Sequence, residues 1–189
     1  GAGNDTWDYI RGGTELSLGG NDMRLYGWGE ENIWIGIDRG IFIFDTSSIP
    51  VGSNIISVIF SSTWYTYHPT IGLGSSVIIP APNIAFYAIS NQDAISTGDW
   101  FAFSTWTLCL PVSWADIEAA SITPLNIEWN SFGLTQINPG GLNKFVIRNY
   151  YYDGLNTPPV TTPNYAIYEA YTEVDAALTA DAQRARTAA

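Results

Sequence analysis

The feature that most constrains the fold is a pair of apolar segments joined by a turn. Residues 40–45 alternate isoleucine with phenylalanine and end in Asp45, so an extended chain there has two apolar faces. Pro50 and Gly52 then force a turn, and a second β-branched and aromatic segment follows over residues 54–67. Because a strand with two apolar faces is typical of a sheet interior, we predict a central strand covered on both sides, a turn and a second central strand.

Composition favours one all-β domain. A chain of 189 residues that is 46% hydrophobic can bury a substantial core, and no linker divides it. Aromatic residues make up 14% of the chain, which is typical of β proteins with exposed ring surface. One short helix is predicted over residues 113–120, with Ser113 as its N-cap and Asp116 in the capping-box position. Further strands are predicted over residues 7–10, 15–18, 23–28, 83–89, 125–129, 134–137, 144–152 and 164–172.

The C-terminal segment, residues 173–189, has a different character. It is rich in alanine, contains no Gly or Pro, and places its acids before its arginines, which is the order that a helix dipole favours. Val174 and Leu178 give such a helix only a thin apolar stripe. Two interpretations stay open: a frayed tail, or an extension, helical in form, that becomes ordered by docking on a neighbouring subunit.

Part of the sequence resembles a known family. Residues 39–50, followed by Gly52 and the strand 55–60, are similar to the core of the DNRLRE-type, carbohydrate-binding-module-like jelly-roll domains of secreted bacterial and predicted phage proteins. In that family an Arg enters a strand that ends Phe-Asp-hydroxyl-Ser-Ile-Pro. Residues 145–153 resemble a later family strand that carries an Arg followed by an Asp, and Tyr171-Thr172 resembles the end of the last strand.

This resemblance spans roughly residues 5–173. It implies a two-sheet antiparallel jelly-roll sandwich over residues 1–172, with residues 173–189 as an extension that the family lacks. The sequence departs from the family at Pro163-Asn164-Tyr165, where Pro-Lys-Leu is usual.

Two arginines lie among strongly apolar strand residues. A buried guanidinium requires an acidic or carbonyl partner, and the resemblance suggests Asp45 and Asp153 as the acids for Arg39 and Arg148. We predict that these four residues form structural clamps. The alternative is that the arginines face a ligand.

Aromatic clusters are the candidates for carbohydrate recognition, because sugar C–H faces stack on exposed rings. In a strand, consecutive rings alternate between faces, so about half of each cluster is expected in the core. The candidate glycan platform consists of Trp64, Tyr65, Tyr67, Tyr150, Tyr151 and Tyr152.

No cofactor is predicted. Asp22, Glu30 and Glu31, with Asp38 and Asp45, lie near strand ends and are weak candidates for a structural Ca²⁺, but they match no fixed-spacing loop and are more simply solvated surface acids. The single cysteine, Cys109, excludes an intramolecular disulfide and a multi-thiolate metal cluster.

The net charge and the absence of catalytic motifs argue against three classes of function. A net charge of −11 argues against nucleic-acid binding, and no stretch has the roughly 18 apolar residues that a membrane span needs. His68 is the single histidine, and no nucleophile motif surrounds it. Glu128 and Glu169 could be the paired carboxylates of a glycoside hydrolase, but any acidic β protein offers such pairs. We therefore do not predict an enzyme.

Two function classes remain. The first is a non-catalytic structural subunit of an extracellular or virion-surface assembly, such as a decoration or capsid-associated protein, a fibre or a filament, that associates with itself or with other subunits. The second is a carbohydrate-binding or adhesin module that recognises cell-surface glycans.

Overall fold

The computed structural model describes residues 23–30, 33–67, 83–90, 99, 102–120, 123–157, 168–172 and 177–183. Within these ranges the chain is mostly β. Two short helices, Trp114–Ala119 (α1) and Ser131–Thr135 (α2), and a π-helical turn, Tyr150–Gly154, interrupt the strands. The strands are Met23–Glu30 (β1), Ile33–Asp38 (β2), Gly40–Asp45 (β3), Asn54–Ser62 (β4), Trp64–Tyr67 (β5), Ile84–Ile89 (β6), Phe103–Thr107 (β7), Leu125–Glu128 (β8), Leu142–Asn149 (β9), Tyr168–Thr172 (β10) and Ala177–Gln183 (β11).

The described strands form three sheets in which neighbours pair antiparallel. The strand orders are β2-β1-β10-β5 in the first sheet, β11-β4-β8 in the second and β3-β9-β6-β7 in the third. Single residues join the sheets: Arg39 connects β2 to β3, and Thr63 connects β4 to β5. The predicted all-β class and antiparallel pairing are confirmed.

The second and third sheets share one aromatic core. Phe60 on β4 lies 5.0 Å from Phe42 on β3 and 4.7 Å from Phe86 on β6, measured between ring centroids. Trp129, which follows β8, packs edge-on against Phe145 of β9 at 4.5 Å. Because these rings come from both sheets and are buried, the core is the layer between them.

The prediction of two central strands is half right. β4 lies between β11 and β8 and is central. β3, in contrast, is at the edge of the third sheet as far as the described residues show. Its phenylalanine face packs on the core, whereas Ile43 on the opposite face is 38% exposed and Asp45 is exposed. Apolar alternation identifies a strand well, but it carries no information about whether a neighbour lies along each of its edges.

The turn after β3 is confirmed and is tied to a second turn. The amide of Ser53 donates to the carbonyl oxygen of Pro50 at 3.1 Å, and Gly52 has φ +82°, which only glycine adopts freely. The buried hydroxyl of Thr46 donates to the carbonyl oxygen of Asn138 at 2.8 Å. Asn143 Nδ2 in turn donates to Thr46 Oγ1 at 2.7 Å, so polar side chains hold the two turns together.

The predicted mid-chain helix is confirmed, and two strand predictions are wrong in whole or in part. α1 is confirmed, with Ser113 Oγ accepting from the amide of Asp116. Residues 134–137 are predicted as a strand, but residues 134 and 135 lie in α2 and residues 136 and 137 follow its end. α2 begins where Asn130 Oδ1 accepts from the amide of Gly133 at 2.8 Å. Residues 150–152, also predicted to be in a strand, lie in the π-helical turn.

The possibility of a C-terminal helix is wrong for residues 177–183. They form β11, which pairs along β4 in a register that matches Thr179 with Ile59. Leu178 and Ala180 pack against the core, and the alternate side chains are exposed. The helix propensity of alanine exceeds that of other ordinary residues by at most about 0.7 kcal/mol, and pairing the backbone groups of β4 outweighs that preference. The strands predicted over residues 7–10 and 15–18 lie outside the described residues.

Candidate functional site

The face of the third sheet that points away from the aromatic core carries charged side chains that are nevertheless buried. Along β9 the alternation of a strand directs Phe145 and Ile147 into the aromatic core and places Lys144, Val146 and Arg148 on the opposite face. Val146 packs there in a second apolar cluster with Ala85, Tyr87 and Ile89 of β6. Lys144 and Arg148 are therefore polar groups in an apolar surface and require partners.

Asp153 is the partner of both arginines. Arg39 donates through Nε to Oδ2 and through Nη2 to Oδ1, each at 2.7 Å. Arg148 makes the same two-pronged contact at 2.8 Å and also donates to the backbone carbonyl oxygen of Asp153 at 2.8 Å. We call Arg39, Arg148 and Asp153 the clamp. It joins the junction of β2 and β3 to the end of β9.

The π-helical turn positions the clamp carboxylate. The amide of Tyr150 donates to the carbonyl oxygen of Asn83 at 2.7 Å, and the amide of Leu155 closes the turn on the carbonyl oxygen of Tyr150 at 2.9 Å. This fold-back brings Asp153 over Arg148, five residues earlier in the chain. Gly154 lies so close to the hydroxyl of Tyr87 that a Cβ atom would collide with it.

Burial and charge act in opposite directions on the clamp. Burial by itself raises the pKa of Asp153, but the hydrogen bonds and positive charges of Arg148 and Arg39 outweigh it and hold the pKa well below the usual range. Aromatic rings shield the arginines, since Arg148 Cζ lies 3.8 Å from the ring centroid of Phe103 and 5.0 Å from that of Tyr87. Burial also raises the pKa of Tyr87 to about 12. The clamp is thus ionised and shielded from water.

The structure brings together three of the four predicted clamp residues. Asp45 does not take part: it is exposed, and its Oδ1 accepts from the amide of Ser47 at 2.8 Å, which lowers its pKa. Asp45 therefore caps its own turn. The resemblance suggested Asp45 and Asp153 as the two acids, and the structure shows that both arginines share Asp153.

A second buried ion pair was not predicted. Lys144 Nζ lies 2.7 Å from Asp99 Oδ2, and the two side chains are 0% and 1% exposed. Lys144 could have been singled out as the only lysine of the chain, placed inside an apolar strand sequence. Nothing in the sequence around Asp99 indicates that it is the partner.

The structure describes three of the six side chains of the candidate glycan platform, and they differ in exposure. Trp64 is 1% exposed and packs in the aromatic core, so its inclusion is wrong, because the alternation along the chain turns this ring inward. Tyr150 is partly buried against the second apolar cluster, and Tyr151 is 47% exposed. Trp106 on β7, which was not predicted, is 71% exposed. The side chains of Tyr65, Tyr67 and Tyr152 lie outside the described residues.

Of the remaining candidate residues, the structure describes the side chains of Glu128 and Cys109, and neither forms part of the clamp. Among the described side chains, no three of His, Cys, Asp and Glu lie close enough to hold a metal ion. The calcium candidates Asp22 and Glu31, the side chains of Glu30, Asp38 and Glu169, and His68 lie outside those residues. Glu128 is exposed on β8. Cys109 is buried, and burial raises its pKa to about 11, so it is not a reactive thiolate.

The sequence matches no protein-family model, and no curated protein shows significant similarity to it. In the part of the chain that the structure describes, no helix is long and apolar enough to cross a membrane.

Proposed function

We propose that this chain is a non-catalytic structural subunit of an extracellular or virion-surface assembly, built on a jelly-roll sandwich of the DNRLRE type. Its partners are further copies of itself or other subunits, and the chain needs no cofactor for this role. The face-to-face packing of the second and third sheets supports the sandwich, and the family resemblance supports its jelly-roll topology.

The attachment of β11 is the observation that carries this proposal. β11 pairs with β4 over its whole length of seven residues, from Ala177 to Gln183. Only Leu178 and Ala180 of this strand pack against the core, and both are partly buried. Main-chain pairing holds most of the strand, and such pairing is equally good when the strand comes from a second copy. We infer that β11 exchanges between neighbouring subunits.

The arrangement of charges also supports a scaffold role. The clamp and the pair Lys144–Asp99 form ion pairs within the chain, and their side chains are at most 2% exposed. Buried ion pairs of this kind fix one arrangement of the strands, and their removal is costly. A subunit that pairs with its neighbours along the edges of its sheets requires strands that keep their positions, and the buried ion pairs hold them.

Single-cysteine variants test the exchange. In a Cys109→Ala background, chains carrying Ile59→Cys are mixed with chains carrying Thr179→Cys, partially unfolded, refolded together and oxidised. Because these positions face each other in the ladder, exchange gives a covalent dimer on a non-reducing gel. The double variant Ile59→Cys/Thr179→Cys serves as the control for intramolecular closure. Thr105→Cys on β7, mixed with Thr179→Cys, is the control for random collision.

A covalent dimer that forms with Ile59→Cys and not with Thr105→Cys supports exchange. If the mixture yields no dimer, while the double variant closes within one chain and full-length protein stays monomeric, the assembly proposal is refuted.

A carbohydrate-binding or adhesin module is the second candidate, and the exposed rings of Trp106 and Tyr151 favour it. In this case the full chain should bind specific sugars on a glycan array, and Trp106→Ala or Tyr151→Ala should abolish that binding. Val51→Ala is the matched control, since Val51 is also exposed and apolar but has no ring. A chain that retains no glycan, or whose binding survives both ring substitutions, excludes this platform.

A further inference from the structure

The pair Lys144–Asp99 brings the one lysine amine of the chain into direct contact with a buried carboxyl group. Lys144 Nζ and Asp99 Oδ2 are 2.7 Å apart. Both side chains are almost completely buried, on the face of the third sheet that carries the second apolar cluster. Lys144 is paired across the ladder with Ile43, and Val146 follows it on the same face of β9. An amine and a carboxyl group are thus held in contact and shielded from water.

We propose that Lys144 and Asp99 form an intramolecular isopeptide bond. A proton passes from the ammonium group to the carboxylate, and the lone pair of the neutral amine attacks Asp99 Cγ to form a C–N bond. The C–O bond to one carboxyl oxygen then breaks. That oxygen leaves as water with two of the three ammonium protons, and the third stays on the amide nitrogen. No oxidant, reductant or further reactant is needed.

Two physical effects favour this step. Holding the reacting groups in contact is worth an effective concentration of about 10⁵–10⁸ M in well-oriented intramolecular reactions. Burial disfavours separated charges relative to the neutral pair and excludes the water that would hydrolyse the product. When the proton moves from the ammonium group of Lys144 to the carboxylate of Asp99, both groups become neutral.

The product would change how the chain unfolds. The two residues are 45 positions apart in sequence, so the bond closes a loop that contains β7, α1, β8 and α2. A cross-link over such a loop restricts the unfolded chain and stabilises the folded one. This proposal is independent of strand exchange and of how the protein assembles, because the bond lies within one subunit.

The mass of the intact chain is the first test. Full-length protein, kept folded until its mass no longer changes and then denatured, should be lighter than its sequence by one water. Lys144→Arg, which keeps the positive charge but has no primary amine, should have the full sequence mass. If Lys144 reacts with residue 99, Asp99→Asn should lose ammonia or keep its full mass. A loss of water from this variant would place the reaction at another site.

Digestion with a lysine-specific protease is the second test, and it requires no variant to fold. Lys144 is the only lysine, so unreacted chain is cut once, between Lys144 and Phe145, whereas reacted chain resists. Peptide mapping after cleavage with a second protease should then give one linked species that contains both Asp99 and Lys144. A succinimide at Asp153-Gly154 would also lose one water, but hydroxylamine opens it and leaves an isopeptide intact.

The full sequence mass in wild-type protein, or efficient cleavage after Lys144, would overturn the proposal. A mass deficit that persists in Lys144→Arg would also overturn it, since the lost water would then come from another site.

Discussion

Replacing Asp153 by Asn tests the clamp with the smallest possible change in shape. The substitution removes the negative charge between Arg39 and Arg148 and weakens the four side-chain hydrogen bonds that they donate at 2.7–2.8 Å. Breaking one buried ion pair costs about 3–5 kcal/mol, because the remaining charge stays buried without compensation. A domain of this size is stable by about 5–15 kcal/mol. Asp153→Asn should therefore remove a large part of the stability.

Urea unfolding followed by tryptophan fluorescence measures this loss, and thermal unfolding should show a decrease in Tm of roughly 6–20 °C. Asp45→Asn is the matched control, because Asp45 is exposed and its contact with the amide of Ser47 survives as an amide oxygen contact. It should leave the free energy of unfolding nearly unchanged. A loss below about 1 kcal/mol for Asp153→Asn would refute the clamp as a source of stability.

The pH dependence gives an independent check on Asp153. Its pKa is lower in the folded protein than the ordinary value of 3.8, so the clamp stabilises the fold fully above that value. This contribution is lost as the pH falls from there towards and through the folded pKa. The difference in stability between wild type and Asp153→Asn should therefore be constant above about pH 5 and shrink below about pH 4. A difference that grows as the pH falls would contradict the assignment.

Three further substitutions test the core and the helices. Phe60→Ala empties the centre of the aromatic core and should cost about 3–5 kcal/mol in urea unfolding; a cost below about 1 kcal/mol would mean that the two sheets do not pack as described. Gly133→Ala should destabilise by about 1–3 kcal/mol, because its Cβ would collide with the carbonyl oxygen of Leu108; unchanged stability would place α2 differently. Ser113→Ala should cost about 1 kcal/mol by removing the cap of α1, whereas Ser113→Thr, which keeps a hydroxyl that accepts from the amide of Asp116 and donates to its carboxylate, should cost much less; equal losses in both would argue against capping.

Local signals predicted a good part of the fold. β4 and β6 were recognisable from their β-branched and aromatic residues, and α1 from the capping pair Ser113 and Asp116. These signals depend on short-range backbone chemistry, which a sequence shows directly. α2 was missed because its start depends on one Asn side chain, Asn130, and its apolar residues are too few to show a helical period.

Long-range pairing could not be predicted in the same way. β11 reads as a helix from its alanines, and only its position beside β4 makes a strand the better solution. The edge position of β3 and the inward orientation of Trp64 likewise depend on which neighbours the fold supplies. Tertiary contacts override the weak local preference at each of these positions.

At the candidate site, too, the sequence indicated which residues need partners but not all of the long-range contacts that supply them. A buried guanidinium requires an acidic or carbonyl partner, so the sequence indicated that Arg39 and Arg148 need partners, and the resemblance suggested Asp45 and Asp153. It could not show that one carboxylate serves both, because the π-helical turn that returns Asp153 to Arg148 has no sequence signature. The partner of Lys144 is 45 residues away, and no pattern in the sequence joins it to Asp99.

Sedimentation velocity of the full-length chain over a wide concentration range tests the central claim most directly. If the protein is a structural subunit that exchanges β11, it should form dimers or larger species whose fraction rises with concentration, and Leu178→Asp, which places a charge against the core, should reduce them. A single monomeric species at every concentration, with the same sedimentation coefficient in the variant, would contradict the account.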